Sequence, residues 1–240
     1  MKLWKLLVMG LYAWTQATLS HGDERKAVPP IPADCADGIA DQGYCTAAVI
    51  PSAGFPISIL FFVVVEKDVY PNSKALLDKY LAFARWPEYV ESTASDNIVF
   101  TKSIRMKDKT DAQGKVIARH YYDYKLKSPI GYQKVRGVTH NVHLKQPYQG
   151  AVSTTEFIAQ TSGTQEVPAG EKPLTGAEGL KLQTGSLNLV SCTGTGLCSS
   201  DQWLVIYESS ITPAINLLPK VVATSVENGI TDVIVGMLFN

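Results

Sequence analysis

The sequence predicts an α+β fold in which one curved antiparallel sheet is wrapped on a long C-terminal helix. Two observations predict it. A long series of segments carries apolar residues with a period of two, and the closing segment carries them every three or four residues. In that closing segment Val222, Val226, Ile230, Val233 and Met237 fall within about an 80° arc of a helical wheel. Lys220, Thr224, Glu227, Asn228, Thr231 and Asp232 take the opposite arc, and Pro219 suits a first helical turn. Such a stripe must be buried, and the sheet is the only large partner the chain offers.

The elements follow in order. Residues 1–20 read as a secretory signal: Lys2 and Lys5 precede a short apolar run, and small residues follow at Ala17, Thr18 and Ser20. An uncleaved N-terminal anchor is the alternative. Residues 21–55 read as an extension stiffened by Pro29, Pro30 and Pro32, and residues 56–240 as the folded domain. Ile57 to Glu66 is an almost wholly apolar strand. A helix is expected to start at Asn72 or Ser73 and to carry Leu76, Leu77, Tyr80, Leu81 and Ala84 on one side. Pro87 is expected to stop or redirect it, with Trp86 pushed out of helical dihedrals.

Strands follow. Ile98 to Met106 is expected to place Ile98, Phe100, Ile104 and Met106 on one face. After a turn at residues 111–114, Val116, Ala118, His120, Tyr122, Tyr124 and Leu126 share a face of the next strand. Tyr132 to Lys145, Thr154 to Thr161, and a hairpin of Leu180 to Ser191 with Gln202 to Ile211 complete the sheet, with a loop over residues 162–179.

Lys+Arg and Asp+Glu both total 22 in the 240 residues, which gives no basic excess for a nucleic-acid partner. Once the signal is removed, no stable membrane span is expected, because Ile57 to Val65 is about half the length required. The four cysteines fit an oxidising compartment, so the protein is expected to be periplasmic or secreted. Of three possible pairings the local one is expected: Cys35 with Cys45, and Cys192 with Cys198 across a glycine-rich turn. A zinc site is the alternative.

The order of strand, helical region, about six strands and one long amphipathic helix resembles the START-like, or SRPBCC, superfamily with its helix-grip fold. The stretch Ala84-Arg85-Trp86-Pro87-Glu88-Tyr89-Val90 is similar to the family's segment after the first helices. Leu218-Pro219, opening the last helix after the strand Trp203 to Tyr207, is similar to the family pattern as well. The resemblance covers roughly Ser58 to Phe239, and the N-terminal extension and cysteines depart from it. It implies a cavity between the concave face of the sheet and the last helix, in which family members bind lipids, sterols, polyketides or other apolar molecules. Some members are cyclases or hydrolases.

The expected role is thus binding or transport of a hydrophobic, lipid-like small molecule. The alternatives are a cyclase or hydrolase in the same fold, or a secreted interaction module using the loop over residues 162–179. The candidate ligand-binding residues are His120, Tyr122, Tyr124 and Arg136, with Val222, Val226, Ile230 and Val233 from the helix. Each has a plainer reading: tyrosines at a rim, a core histidine, and Arg136 or Lys134 as surface charges rather than partners for a carboxylate. No nucleophile elbow or phosphate-binding loop occurs, no catalytic residue is singled out, and no cofactor is implied. His140 and His143 point to opposite faces of a strand, so one metal ion could not take both. A cut after Ser20 would leave His21 as an amino-terminal histidine able to chelate copper, as in lytic polysaccharide monooxygenases, a family the rest of the chain does not look like.

Overall fold

The computed structural model describes residues 26–33, 35–161, 165–176, 179–193, 196–214 and 218–240. The expected signal segment and His21 lie outside them. The described elements are α1 (Cys35–Gln42), β1 (Tyr44–Val49), β2 (Ile57–Glu66), α2 (Ser73–Tyr80), a 3-10 turn (Phe83–Arg85), α3 (Trp86–Glu91), β3 (Ile98–Thr110), β4 (Val116–Ser128), β5 (Gly131–His143), β6 (Ser153–Gln160), β7 (Leu180–Ser191), β8 (Gln202–Pro213) and α4 (Pro219–Phe239). The eight strands form one sheet in the order β1-β2-β8-β7-β6-β5-β4-β3, with every pairing antiparallel.

The apolar run of β2 is continuous rather than alternating because both of its faces are covered. Phe61, Val63 and Val65 pack with Met237 and Ile234 of α4 on the inner face, whereas Phe62 packs with Cys35 and Ile39 of α1 on the outer face. Residues set apart by sequence as an extension therefore join the sheet: β1 pairs with β2 along its length, and α1 covers the outer face. Cys35–Cys45 ties α1 to β1, and Cys192–Cys198 closes the connection between β7 and β8, with Cα separations of 5.4 and 5.3 Å. Two disulfides fit an oxidising compartment.

Four local expectations need correction. Asn72 does cap α2 by accepting from Ala75 N at 3.0 Å, but the helix ends at Tyr80. Trp86 stays helical at φ −57°, ψ −37°, and Pro87 sits in the first turn of a new helix, where its missing N–H costs nothing. In β3 the register slips between Phe100 and Lys102, and the bulge reverses the faces beyond it. Phe100 stays inside with Tyr124, while Ile104 and Met106 go outside against Tyr121 and Val138. Asp232, expected on the exposed arc of α4, is buried because residues 92–97 fold over that side and bring Ser95 and Asn97 to it.

The outer face under β3, β4 and β5 is covered by part of the loop after β6. Leu174 is buried on Tyr121 and Val138, Tyr121 donates to Glu171 at 3.0 Å, and Arg119 pairs with Glu166 at 3.2 Å. On the inner face lies α4. It is long and apolar enough to cross a bilayer by length and composition, but here its stripe is buried against the sheet. Its C-terminal half is seated tightly: a Cβ added at Gly236 would lie 2.0 Å from the Tyr89 carbonyl oxygen, and Tyr70 Oη donates to Leu238 O at 2.9 Å.

Gly236→Ala is expected to cost about 2–3 kcal/mol, since a backbone carbonyl cannot rotate aside. Gly229→Ala meets Ile98 at an ordinary 3.8 Å and has its one short contact with the Leu126 side chain, at 2.6 Å. That methyl group can move, and the helix gains about 1 kcal/mol from alanine, so the net change is expected near zero. Urea unfolding of both variants checks the contrast.

A candidate apolar cleft beneath the last helix

The register of β4 on β5 decides what faces α4. His120 pairs with Thr139, Tyr122 with Gly137, Tyr124 with Val135 and Leu126 with Gln133. All eight residues therefore face inward, and α4 crosses above them. Between helix and sheet lies a cleft of about 110 Å³ with an apolar wall. His120, Tyr122 and Tyr124 line it from the sheet, and Val222, Val226, Ile230 and Val233 from the helix. The structure brings these seven candidates together.

Arg136 is not among them. It lies on the outer face, where its Nε donates to Tyr121 Oη at 3.3 Å and its Nη2 donates to Lys172 O at 2.6 Å. Its charge is also met by Asp123 at 3.7 Å. Its strand parity is that of Lys134, which pairs with the same carboxylate at 3.2 Å. Neither cation reaches the cleft.

Sequence reasoning did not single out Tyr80, Trp86, Phe157, Gln183 or Tyr207, all of which line the cleft. Tyr207 was legible: it alternates with Trp203 and Val205 toward the inner face of β8. Trp86 was not, because it arrives from the short α3 rather than from a strand. Its Nε1 donates to Tyr80 O at 3.0 Å, which fixes the indole against the cleft.

His120 is buried in the wall of the cleft. Its ring stacks on Phe83 at 4.3 Å, nearly parallel, and meets Trp86 edge-on at 5.0 Å. Ser103 Oγ donates its one proton to the Phe83 carbonyl oxygen, so at 2.8 Å it accepts from His120 Nε2. That serine is held as a structural link and is not poised as a nucleophile. Burial, and secondarily the positive charge of Arg105, push the imidazole pKa down to about 3.

Tyr122 owes its position to Gly137. Its ring lies over that glycine, so a Cβ there would come within 2.3 Å of Tyr122 Oη and 2.6 Å of Cζ. The cleft wall at this point is made by a tyrosine on one strand filling the space left by a missing side chain on the next.

No family model and no curated protein matches the chain. Among solved structures it is similar to a STAR-related lipid transfer protein from Xanthomonas axonopodis, with 16% identity and a TM-score of 0.52 over 82% of this chain and 92% of that one. The fold is START-like. Two further START structures align at lower scores: a START superfamily protein from Mycobacterium smegmatis, with 8% identity and a TM-score of 0.43 over 75% of this chain and 93% of that one. The other is human STARD10, with 11% identity and a TM-score of 0.46 over 90% and 83%. At such identities the likeness concerns the START-like fold and says nothing of which molecule the cleft takes.

Because His120 is neutral when folded and titrates near 6.5 when unfolded, the unfolded chain binds the extra proton first. Its contribution is fully present above pH 6.5 and is lost as the pH falls toward about 3. Between pH 6.5 and 5 the expected loss is roughly 1.5 kcal/mol. Denaturant titrations of wild type and His120→Gln across that interval check it, since the variant should lack this part of the slope.

Proposed function

We propose that this protein binds a hydrophobic, lipid-like small molecule between the inner face of its sheet and α4, and carries it in the periplasm or outside the cell after loss of residues 1–20. The observation that carries the reading is the apolar cleft itself, walled by Trp86, Phe100, Tyr122, Tyr124 and the Val222–Val233 side of α4. The Xanthomonas relative in fold is described as a lipid transfer protein, which supports the same reading. Export is supported by the charged start and apolar run of the first 20 residues and by the two disulfides.

The cleft's volume, about 110 Å³, is below the usual range for small-molecule sites, roughly 300–1,000 Å³. Binding a lipid therefore requires α4 to move outward. Gly236, Met237 and Leu238 are held by α3 and Tyr70, so the movement falls to the N-terminal half, which packs through Val222 and Val226 on the sheet's inner wall and on Phe55. A catalytic reading has less support, because the one histidine in the wall is neutral, stacked and hydrogen-bonded to a serine already committed elsewhere.

Solvent extraction of the purified mature protein followed by mass spectrometry is expected to release a bound apolar compound. The emptied protein is expected to take up the neutral dye N-phenyl-1-naphthylamine. Ile230→Trp, which places an indole in the middle of the cleft, is expected to weaken dye uptake at least about tenfold while circular dichroism stays native. Uptake unchanged in a folded Ile230→Trp protein, or no extract and no uptake in wild type, sinks the proposal.

A further inference from the structure

The composition of the cleft wall goes further than its being apolar. Among the described residues that line it there is no Lys, Arg, Asp or Glu. The cations nearest in sequence are turned away or committed: Arg136 and Lys134 pair with Asp123 on the outer face. Arg105 lies over the Phe83 ring at 5.5 Å and pairs with Asp108; it is not part of the wall, although its Nη1 has no hydrogen-bond partner. His120, the one basic group in the wall, donates its Nε2 proton to Ser103 and stays uncharged at neutral pH. An anionic head group brought into this space would find no counter-charge and would lose its hydration.

Among the fully buried side-chain polar atoms of the wall, one has no hydrogen-bond partner. Tyr122 is 5% exposed, and its Oη is buried without a hydrogen-bond partner. Tyr80 and Gln183 in the same wall are satisfied: Tyr80 Oη donates to Asn141 Oδ1 at 3.1 Å, and Gln183 Nε2 donates to Ser209 Oγ at 2.8 Å and to Tyr207 Oη at 3.3 Å. Burial, with Tyr124 and Tyr207 nearby, also keeps the Tyr122 phenol protonated far above neutral pH, so the hydroxyl is a donor. An orphaned buried donor in an otherwise apolar wall is a site for one acceptor atom.

We propose that the molecule this cleft takes is an electrically neutral lipid with a single hydrogen-bonding oxygen, and that Tyr122 Oη donates to that oxygen. Alcohols, ketones and esters fit; fatty-acid anions and phosphate head groups do not. This rests on the cleft being the binding site, and it adds the charge class of the ligand and the residue that selects it.

The test is displacement of N-phenyl-1-naphthylamine at pH 8 by decanol, methyl decanoate, decanoate and decane, on wild type and Tyr122→Phe. Decanol and methyl decanoate are expected to displace the dye at concentrations at least about tenfold below decanoate. Tyr122→Phe is expected to weaken decanol and methyl decanoate about three- to tenfold and to leave decane and decanoate within about twofold. In the ligand-free state the same variant is expected to melt at a higher temperature, because it removes an unsatisfied hydroxyl. A hydroxyl with a purely structural role would lower the melting temperature instead. Decanoate binding as tightly as decanol overturns the neutral-ligand inference, and with it the exclusion of Arg105. A uniform effect of Tyr122→Phe on all four probes, or none on decanol, overturns the assignment of the donor. Failure of wild type to take up the dye at all strikes the binding reading itself, a result the other outcomes do not produce.

Discussion

The close approach of α4 to the Tyr89 carbonyl at Gly236 is the constraint on which the rest depends. It brings the C-terminal half of the helix down onto β2, β8 and α3, where Met237 and Ile234 close the larger of the inner clusters. The N-terminal half buries Val222 and Ala223 with Ile57, Ile59, Tyr122, Val135 and Ile211, and the cleft is the space left between helix and sheet. A larger residue at position 236 would push the helix off α3, so the site depends on packing outside its own lining.

The same geometry explains what was legible in sequence. The spacing of Val222, Val226, Ile230 and Val233 identified the helical face, and the alternation through His120, Tyr122 and Tyr124 identified the strand face, because each pattern is the period of its own element. Arg136 could not be placed by parity alone. Its face depends on how β5 meets β4, and that depends on the two-residue connection between Ser128 and Gly131, across which those two residues pair directly. The faces of β3 were misjudged for a similar reason: a bulge near Thr101 changes parity without any change in composition. Trp86 and Asp232 were set by tertiary contacts, with the Tyr80 carbonyl at the end of α2 and with residues 92–97, which carry no periodic signal.

Charge is partitioned across the sheet. The outer face under β4 and β5 carries Arg119, Asp123, Lys134 and Arg136, each facing an opposite charge there or on the loop after β6. The inner face of the same two strands has tyrosines, a neutral histidine and amide side chains, with Arg105 of β3 beside them over the Phe83 ring. This separation follows from the strand period of two combined with a cover of different chemistry on each side: a polar loop outside, an apolar helix stripe inside. The loop over residues 165–176 is thus at least partly committed to the sheet through Leu174 and Glu171.

Within that inner face the polar atoms are not equivalent. Tyr80 and Gln183 are locked by protein partners and so act as fixed wall, whereas Tyr122 is held in place by the bare backbone of Gly137 with its hydroxyl left over. A stable apo protein tolerates such an orphan only at a cost in free energy, and a molecule that supplies the missing acceptor recovers it. The gain is available only to a ligand that brings no charge, since the wall has none to answer it. Discrimination in this cleft therefore comes less from a close match of shape than from a buried, unpartnered donor set in a wall without ions.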